Sequence, residues 1–170
     1  MSGQFGFGTS GSSPGPFRPS NYRVREVRFS VMRQSASDPR ELSNPSAIID
    51  LVHALGDTII PDDAREHFIV LMLNAKNRLV AFHRVSTGTL SSTLVQPREV
   101  FGPALRTMGV GSIVLVHNHP SGDPTPSRED IRLTRQLAEA GRLLDLPVHD
   151  HVVIGDADAW ISFSERGLLC

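Results

Sequence analysis

Side chains that could bind a metal ion are concentrated in one short segment, from His117 to Asp130. The stretch 112–130 reads SIVLVHNHPSGDPTPSRED, in which an apolar run is followed by two histidines, a proline-rich loop and an acidic residue. Side chains two apart on a strand point to the same face, so His117 and His119 should project together from the end of a buried strand. Asp130 should follow in the first turn of a helix that has Ser127 as its N-cap.

Two imidazoles and one carboxylate on rigid elements favour a zinc site with three protein ligands. Zinc accepts His and Asp ligands in tetrahedral geometry, and a catalytic site keeps the fourth position open to water. The ion would lower the pKa of that water to about 7 and polarise a carbonyl group. A His-x-His pair alone is a weak signal, and Ser127 and Asp130 are also typical of an ordinary helix start. The prediction depends on their combined spacing.

The elements that must position these residues alternate between strands and helices. Periodicity predicts strands over 27–31, 67–73, 79–85, 112–116, 148–154 and 159–163, and helices over 45–55, 97–108 and 127–144. Gly102 and Pro103 lie inside the second helix and predict a kink or a break there. Such an alternation favours an α/β fold, with a layered mixed sheet and flanking helices.

Length and composition narrow the class of protein. The chain has 170 residues, 39% of them hydrophobic, and a net charge of −1. Residues 1–21 are rich in Gly, Ser and Pro and predict a disordered tail, which leaves 22–170 as a single domain. Neither a membrane span of roughly 18 apolar residues nor a secretory signal is visible, so we expect a cytoplasmic protein with no membrane partner.

The cysteine content excludes two further classes. The one cysteine is Cys170, the last residue, so a disulfide framework is excluded. Zinc deaminases, which need a P-C-x-x-C motif, are excluded as well.

The same segment carries the signature of a known family. HNHPSGDPTPSRED resembles the JAMM (MPN+) metalloprotease motif H-x-H-P…S-x-x-D. With PRE at 97–99 and the pair Asp150-His151, the longer pattern is similar to the bacterial RadC-type branch, from about Glu66 to Leu169. This resemblance implies the MPN/JAB architecture, which is cytidine-deaminase-like, and a Zn²⁺ ion bound by His117, His119 and Asp130. It also implies hydrolysis of a peptide or isopeptide bond by metal-activated water.

The resemblance further implies a general base and an oxyanion donor. The family has a glutamate upstream of the histidines, and the matching position is Glu66, which could take a proton from water and pass it to the leaving amine. Glu99 is a rival for this role, although it would also suit the first turn of a helix. Ser127 would hydrogen-bond the developing oxyanion.

A second His-x-His pair, His149 and His151, lies on the predicted strand 148–154. No third ligand occurs at a comparable spacing, so we expect structural roles for this pair. His151 could orient a metal ligand or line the cleft.

Two other functions stay open at this point. RadC-type proteins have been linked with DNA repair, and the segment 18–33 is mildly basic. The helix-hairpin-helix pattern typical of that branch is not found in this sequence, so nucleic-acid binding has little support. A non-catalytic MPN scaffold is the other alternative. For the enzyme, the expected partner is a peptide or a ubiquitin-like protein substrate.

Overall fold

The computed structural model describes residues 41–62, 64–88, 95–156 and 159–169. The predicted tail 1–21 and the predicted strand 27–31 lie outside these residues. The described part contains helices α1 (Pro45–Leu55), α2 (Pro97–Arg106) and α3 (Arg128–Leu143), strands β1 (His67–Leu73), β2 (Leu79–Thr87), β3 (Ser112–Asn118), β4 (Val148–Ile154) and β5 (Trp160–Ser162), and a 3₁₀ turn at Gly56–Thr58.

Helix α1 begins where its capping residues predict. The Asn44 side chain accepts a hydrogen bond from the N–H of Ala47 at 2.9 Å, and Pro45 is the first helical residue. This arrangement satisfies one of the free N–H groups of the first turn and uses the fixed φ of proline. None of the helices in the described ranges is long and apolar enough to cross a bilayer.

Of the kink or break predicted at Gly102-Pro103, the break does not occur, because helix α2 continues through Pro103. Its inner face, which includes the buried Phe101, packs into the apolar core. This packing favours one continuous helix despite the missing proline N–H. The helix ends two residues earlier than predicted, at Arg106, since the backbone is extended at Thr107. The Thr107 hydroxyl donates to the carbonyl of Pro103 at 2.9 Å and so satisfies one carbonyl of the last turn.

The five strands form one mixed sheet in the order β2-β1-β3-β4-β5, which confirms the predicted α/β fold class. Strands β3 and β4 are parallel, and the other neighbouring pairs are antiparallel. Because β1 runs antiparallel to β3, the start of β1 lies beside the end of β3, and Phe68 is paired with His117.

Helices cover both faces of the sheet, and the central strands are apolar on both faces. One face of β1 and β3 packs with α1, and its members include Ile69, Leu71, Val114 and Val116. The other face packs with α2 and α3, and its members include Phe68, Val70, Ile113 and Leu115. By this alternation, His117 lies on the face that α3 covers.

We expect two glycine-to-alanine changes to differ in their effect on the free energy of unfolding. A Cβ on Gly141 in α3 would lie 2.7 Å from the carbonyl oxygen of Leu146. Since backbone must shift to relieve that contact, Gly141→Ala should destabilise the protein by about 1–3 kcal/mol. The matched control is Gly102→Ala in α2, where the nearest atom is the flexible guanidinium of Arg106 at 3.4 Å.

The control should change the free energy of unfolding by less than about 1 kcal/mol, because the gain from alanine as the better helix former is offset by the restriction that Pro103 places on a preceding helical residue with a Cβ. Urea unfolding of both variants measures the difference. Equal shifts in the two variants would contradict the proposed close approach at Gly141.

Candidate metal centre

The two histidines of the motif lie at the end of β3 with their rings facing each other. The Nε2 atom of His117 is 2.9 Å from the Nε2 atom of His119. The main-chain N–H of His119 donates to the carbonyl of Ile154 at the end of β4. The sheet therefore holds both rings on one side, as the two-residue spacing predicts.

Asp130 reaches the same point from the N-terminus of α3. Ser127 is the N-cap, and the Asp130 N–H donates to its hydroxyl oxygen at 3.1 Å. The Asp130 Oδ2 atom accepts from the N–H and the O–H of Ser127, at 2.7 and 2.6 Å. This reciprocal capping box aims the carboxylate at the histidines, with Oδ1 at 3.5 Å from His117 Nε2 and Oδ2 at 3.6 Å from His119 Nε2.

Glu66 lies beside the histidine pair, immediately before β1. Its Oε1 atom is 3.9 Å from His119 Nε2. Glu66, His117 and His119 each offer one ligand atom within 4.8 Å of the others, a grouping that could hold a metal ion. The rival Glu99 is half-exposed on α2 and is paired with Arg98 at 3.0 Å. The structure therefore brings Glu66, rather than Glu99, to the histidines.

The ring orientation of His119 follows from one hydrogen bond. Its Nδ1 atom lies 2.7 Å from the carbonyl oxygen of Asp123, in the loop that follows β3. A carbonyl oxygen only accepts, so Nδ1 carries the hydrogen. In the neutral ring, Nε2 then presents a lone pair.

His117 is oriented by a longer chain of hydrogen bonds, which we call the buried chain (His117, His151, Thr134). The Thr134 hydroxyl donates to the main-chain carbonyl of Asp130 at 2.6 Å, so its oxygen can only accept from His151 Nδ1, also 2.6 Å away. The His151 Nε2 atom must then accept from His117 Nδ1, at 2.8 Å. This order of donors leaves His117 Nε2 without a hydrogen.

Two lone pairs and a carboxylate therefore converge on one point. Oriented in this way, His117 Nε2 and His119 Nε2 would repel each other at 2.9 Å unless a proton or a metal ion lay between them. Metal-binding histidines commonly give their second ring N–H to a carbonyl or another acceptor, which fixes the tautomer. Both histidines satisfy that condition.

Aromatic rings keep the buried chain dry. Phe68 stacks on His117 with centroids 6.0 Å apart, and Phe163 stacks on His151 at 4.6 Å. Burial lowers the pKa of His117 to about 4, although the nearby Asp130 carboxylate acts in the opposite direction. Burial also lowers the pKa of His151 well below its ordinary value. Both rings are therefore neutral near pH 7, as the hydrogen-bond order requires.

The centre opens to solvent on one side. The exposed fraction of the side chain rises from 0% for His117 and 5% for Asp130 to 14% for His119 and 21% for Glu66. The open side faces a cleft of about 560 Å³, lined by Ala64, Arg65, Glu66, Gly88, His119, Pro120 and Ser121. A ligand arriving through this cleft would meet Glu66 and His119 first.

Two groups that hydrogen-bond the histidines of the centre were not predicted from the sequence. Thr134 and the carbonyl of Asp123 were missed, because a threonine inside a helix and a main-chain group in a loop carry no motif. His151 is buried against His117, while His149 is exposed. The apolar residues that follow His151 were the available signal that this histidine points into the protein.

We expect the metal-free protein, kept in EDTA, to lose stability as the pH falls from 7.5 to 5. His117 has a pKa of about 4 in the folded protein and an ordinary value near 6.5 when unfolded, so the unfolded chain takes up the proton first. The contribution of neutral His117 is complete above pH 6.5 and declines toward pH 4, by about 2 kcal/mol at pH 5. Burial of His151 acts in the same direction.

Urea unfolding at a series of pH values checks this expectation. His117→Asn should flatten the profile, whereas His149→Asn, at an exposed position on the neighbouring strand β4, should leave the slope unchanged. A stability that stays constant between pH 7.5 and 5 would show that the buried rings are not held neutral.

Comparison with known proteins agrees with this architecture. The family model described as "RadC-like JAB domain" matches residues 42–168. A UPF0758 protein of Pelobacter propionicus is 45% identical over 127 residues, which cover 75% of this chain and 53% of that protein. A UPF0758 protein of Trichlorobacter lovleyi is 45% identical over 142 residues, covering 84% of this chain and 58% of that protein.

A third relative, a UPF0758 protein of Desulforamulus reducens, is 52% identical over 105 residues, covering 62% of this chain and 45% of that protein. The chain thus spans about half the length of the curated relatives it matches. The family match includes the whole sheet and every residue of the histidine centre, and the chain therefore belongs to the RadC-like JAB domain family.

Proposed function

We propose that this chain is a zinc-dependent metallopeptidase that hydrolyses a peptide or isopeptide bond. His117, His119 and Asp130 hold the ion, and Glu66 is the general base. The observation that carries the proposal is the position of the Glu66 carboxylate, 3.9 Å from His119 Nε2 on the open side of the His–His–Asp set.

The donor set fits zinc in type and spacing. Ligand atoms about 2.0–2.1 Å from a tetrahedral ion lie roughly 3.3–3.4 Å from one another. His117 Nε2 lies 2.9 Å from His119 Nε2 and 3.5 Å from Asp130 Oδ1, whereas the Glu66 carboxylate lies farther away, 3.9 Å from His119 Nε2. When bound there, zinc supplies Lewis-acid activation of water and of a carbonyl group.

Glu66 moves the proton in this proposal. Its carboxylate takes a proton from the attacking water and transfers it to the nitrogen of the leaving amine. The carboxylate stands at the rim of the cleft and is one-fifth exposed, so it can reach both the water and the scissile bond. His117, His119 and Asp130 stay in place during this transfer, because each is hydrogen-bonded on the side away from the ion.

Ser127 has two roles in the proposal. Its main-chain N–H and hydroxyl hold Asp130 Oδ2, which leaves Oδ1 for the ion. When the hydroxyl turns toward the cleft, it donates to the oxyanion that develops on the substrate. The capping N–H of Ser127 still holds Asp130 after that rotation.

The substrate is proposed to be a peptide or the tail of a ubiquitin-like protein. The volume of the cleft, about 560 Å³, is within the range of ligand-binding clefts. The family match begins at residue 42 and includes none of the basic segment 18–33 on which nucleic-acid binding depends. We therefore place hydrolysis ahead of the nucleic-acid alternative.

We expect Glu66→Gln to keep bound zinc and to lower kcat by about 10²–10⁴-fold, since the amide cannot accept the proton. The assay is cleavage of a library of peptides and isopeptides by the zinc-loaded protein, with zinc measured by metal analysis. The matched control is Glu99→Gln, the same chemical change on an exposed residue of α2, and it should leave kcat unchanged.

Two results would count against the proposal. Full activity in Glu66→Gln would show that the base is another group. A wild-type protein that binds one zinc ion yet cleaves nothing in the library would favour the non-catalytic scaffold. His117→Ala and Asp130→Ala should release the ion in either case, which separates metal binding from catalysis.

We expect Thr134→Val to weaken zinc binding by about 10- to 100-fold, because His151 loses the acceptor of its Nδ1–H and the buried chain no longer fixes His117. Competition with a chromophoric chelator measures the affinity. Thr107→Val is the matched control, since it also removes a hydroxyl that donates to a helix carbonyl, at the end of α2. An unchanged zinc affinity in Thr134→Val would mean that the buried chain does not orient the ligand.

A further inference from the structure

Asn118, between the two histidines, makes its own pair of main-chain contacts. Its Oδ1 atom accepts from the N–H of His67 at 2.8 Å, and its Nδ2 atom donates to the carbonyl of Arg65 at 2.9 Å. These two groups belong to the residues immediately before and after Glu66. One side chain therefore holds the backbone on both sides of the proposed base.

The end of the β1–β3 ladder explains this bridge. The last main-chain pair of the ladder is Phe68 with His117. At the next position along the ladder, the N–H of His67 donates to the Asn118 side chain, and Pro120, two residues after Asn118, has no N–H to offer β1. The carboxamide of Asn118 has a donor and an acceptor, like a peptide group. Its two hydrogen bonds continue the contact between β3 and the start of β1 beyond the last main-chain pair.

Glu66 is also held from the opposite side. Its main-chain carbonyl accepts from the N–H of Gly88 at 2.8 Å, just beyond the end of β2. Glu66 precedes β1 and lies outside the strand itself, so these contacts replace the regular ladder. They determine where its carboxylate stands relative to His119.

We propose that Asn118 is a positioning residue for Glu66: its carboxamide fixes the main chain of Arg65 and His67 and so holds the Glu66 carboxylate at the rim of the cleft. Asn118 acts through the backbone of β1 and on the opposite side from the ligand face, because neighbouring side chains of a strand point to opposite faces. The expected effect on kcat rests on the proposed function, whereas the expected effect on the main chain of His67 does not.

The test is Asn118→Ala in the zinc-loaded protein. Misplacement of a catalytic group by about 1 Å can reduce the rate on the order of 100-fold, so kcat should fall by about 10- to 100-fold. KM and the zinc affinity should change by less than about threefold, since the hydrogen bonds of the carboxamide go to main-chain groups of Arg65 and His67 and to none of the proposed ligands. A fall in kcat of less than tenfold would overturn the proposal.

Asn74→Ala is the matched control. The Asn74 side chain also bridges main-chain groups, because its Oδ1 accepts from the N–H groups of Lys76 and Arg78 in the β1–β2 turn. This variant should lose stability and keep kcat. An equal fall in kcat in the two variants would mean that Asn118 acts only through general stability. Asn118→Ser is the second variant should the alanine protein fail to fold.

Amide hydrogen exchange tests the same inference without any activity. The N–H of His67 should exchange at least tenfold faster in Asn118→Ala than in the wild type, while the N–H of Leu71 in the middle of β1 keeps its rate. An unchanged rate at His67 would overturn the inference. If the wild-type protein cleaves nothing while His67 responds as expected, the proposed function fails and the positioning of Glu66 by Asn118 stands.

Discussion

The contact on which the rest of the structure depends is the approach of two imidazole nitrogens, His117 Nε2 and His119 Nε2, to 2.9 Å. Each ring already gives its Nδ1–H to an acceptor, so both Nε2 atoms present lone pairs. Such an arrangement is unfavourable without a cation or a proton, and a protein that builds it must hold both rings firmly. The sheet, the loop after β3 and the first turn of α3 all contribute to that restraint.

The centre has a buried half, formed by His117 and Asp130, and a half that is open to solvent, formed by His119 and Glu66. Hydrogen bonds hold the buried half rigidly. His117 and Asp130 are connected twice, once by the approach of the carboxylate and once through the buried chain, which ends on the carbonyl of Asp130. His119 and Glu66 lie toward the cleft. The side chains that a ligand would contact are therefore already held by hydrogen bonds, so the protein needs little reorganisation when a ligand binds.

Local sequence patterns were enough to predict the mixed α/β fold and the grouping of the two histidines with Asp130, since the spacings of two and three residues act within one strand and one capping box. The hydrogen bonds of the buried chain join residues 17 and 34 positions apart, and the Asn118 bridge spans 51 and 53. Strand order and register create these contacts, and no single segment encodes them. The continuity of α2 through Pro103 also depends on packing rather than on propensity.

Register also explains why the proposed base comes from a different strand than the histidines. In an antiparallel pair, the residue that precedes β1 must stand beside the residues that end β3, so Glu66 reaches His119 although 53 residues separate them. A slip of one residue would turn every side chain of β1 to the opposite face. Because β1 is apolar on both faces, such a slip costs less than it would in a half-exposed strand. Hydrogen bonds at the start of β1, beside the end of β3, therefore contribute more to fixing its register. The hydrogen bonds from Asn118 to both neighbours of Glu66 lie at that end. A shifted register would lose them and would therefore be less stable.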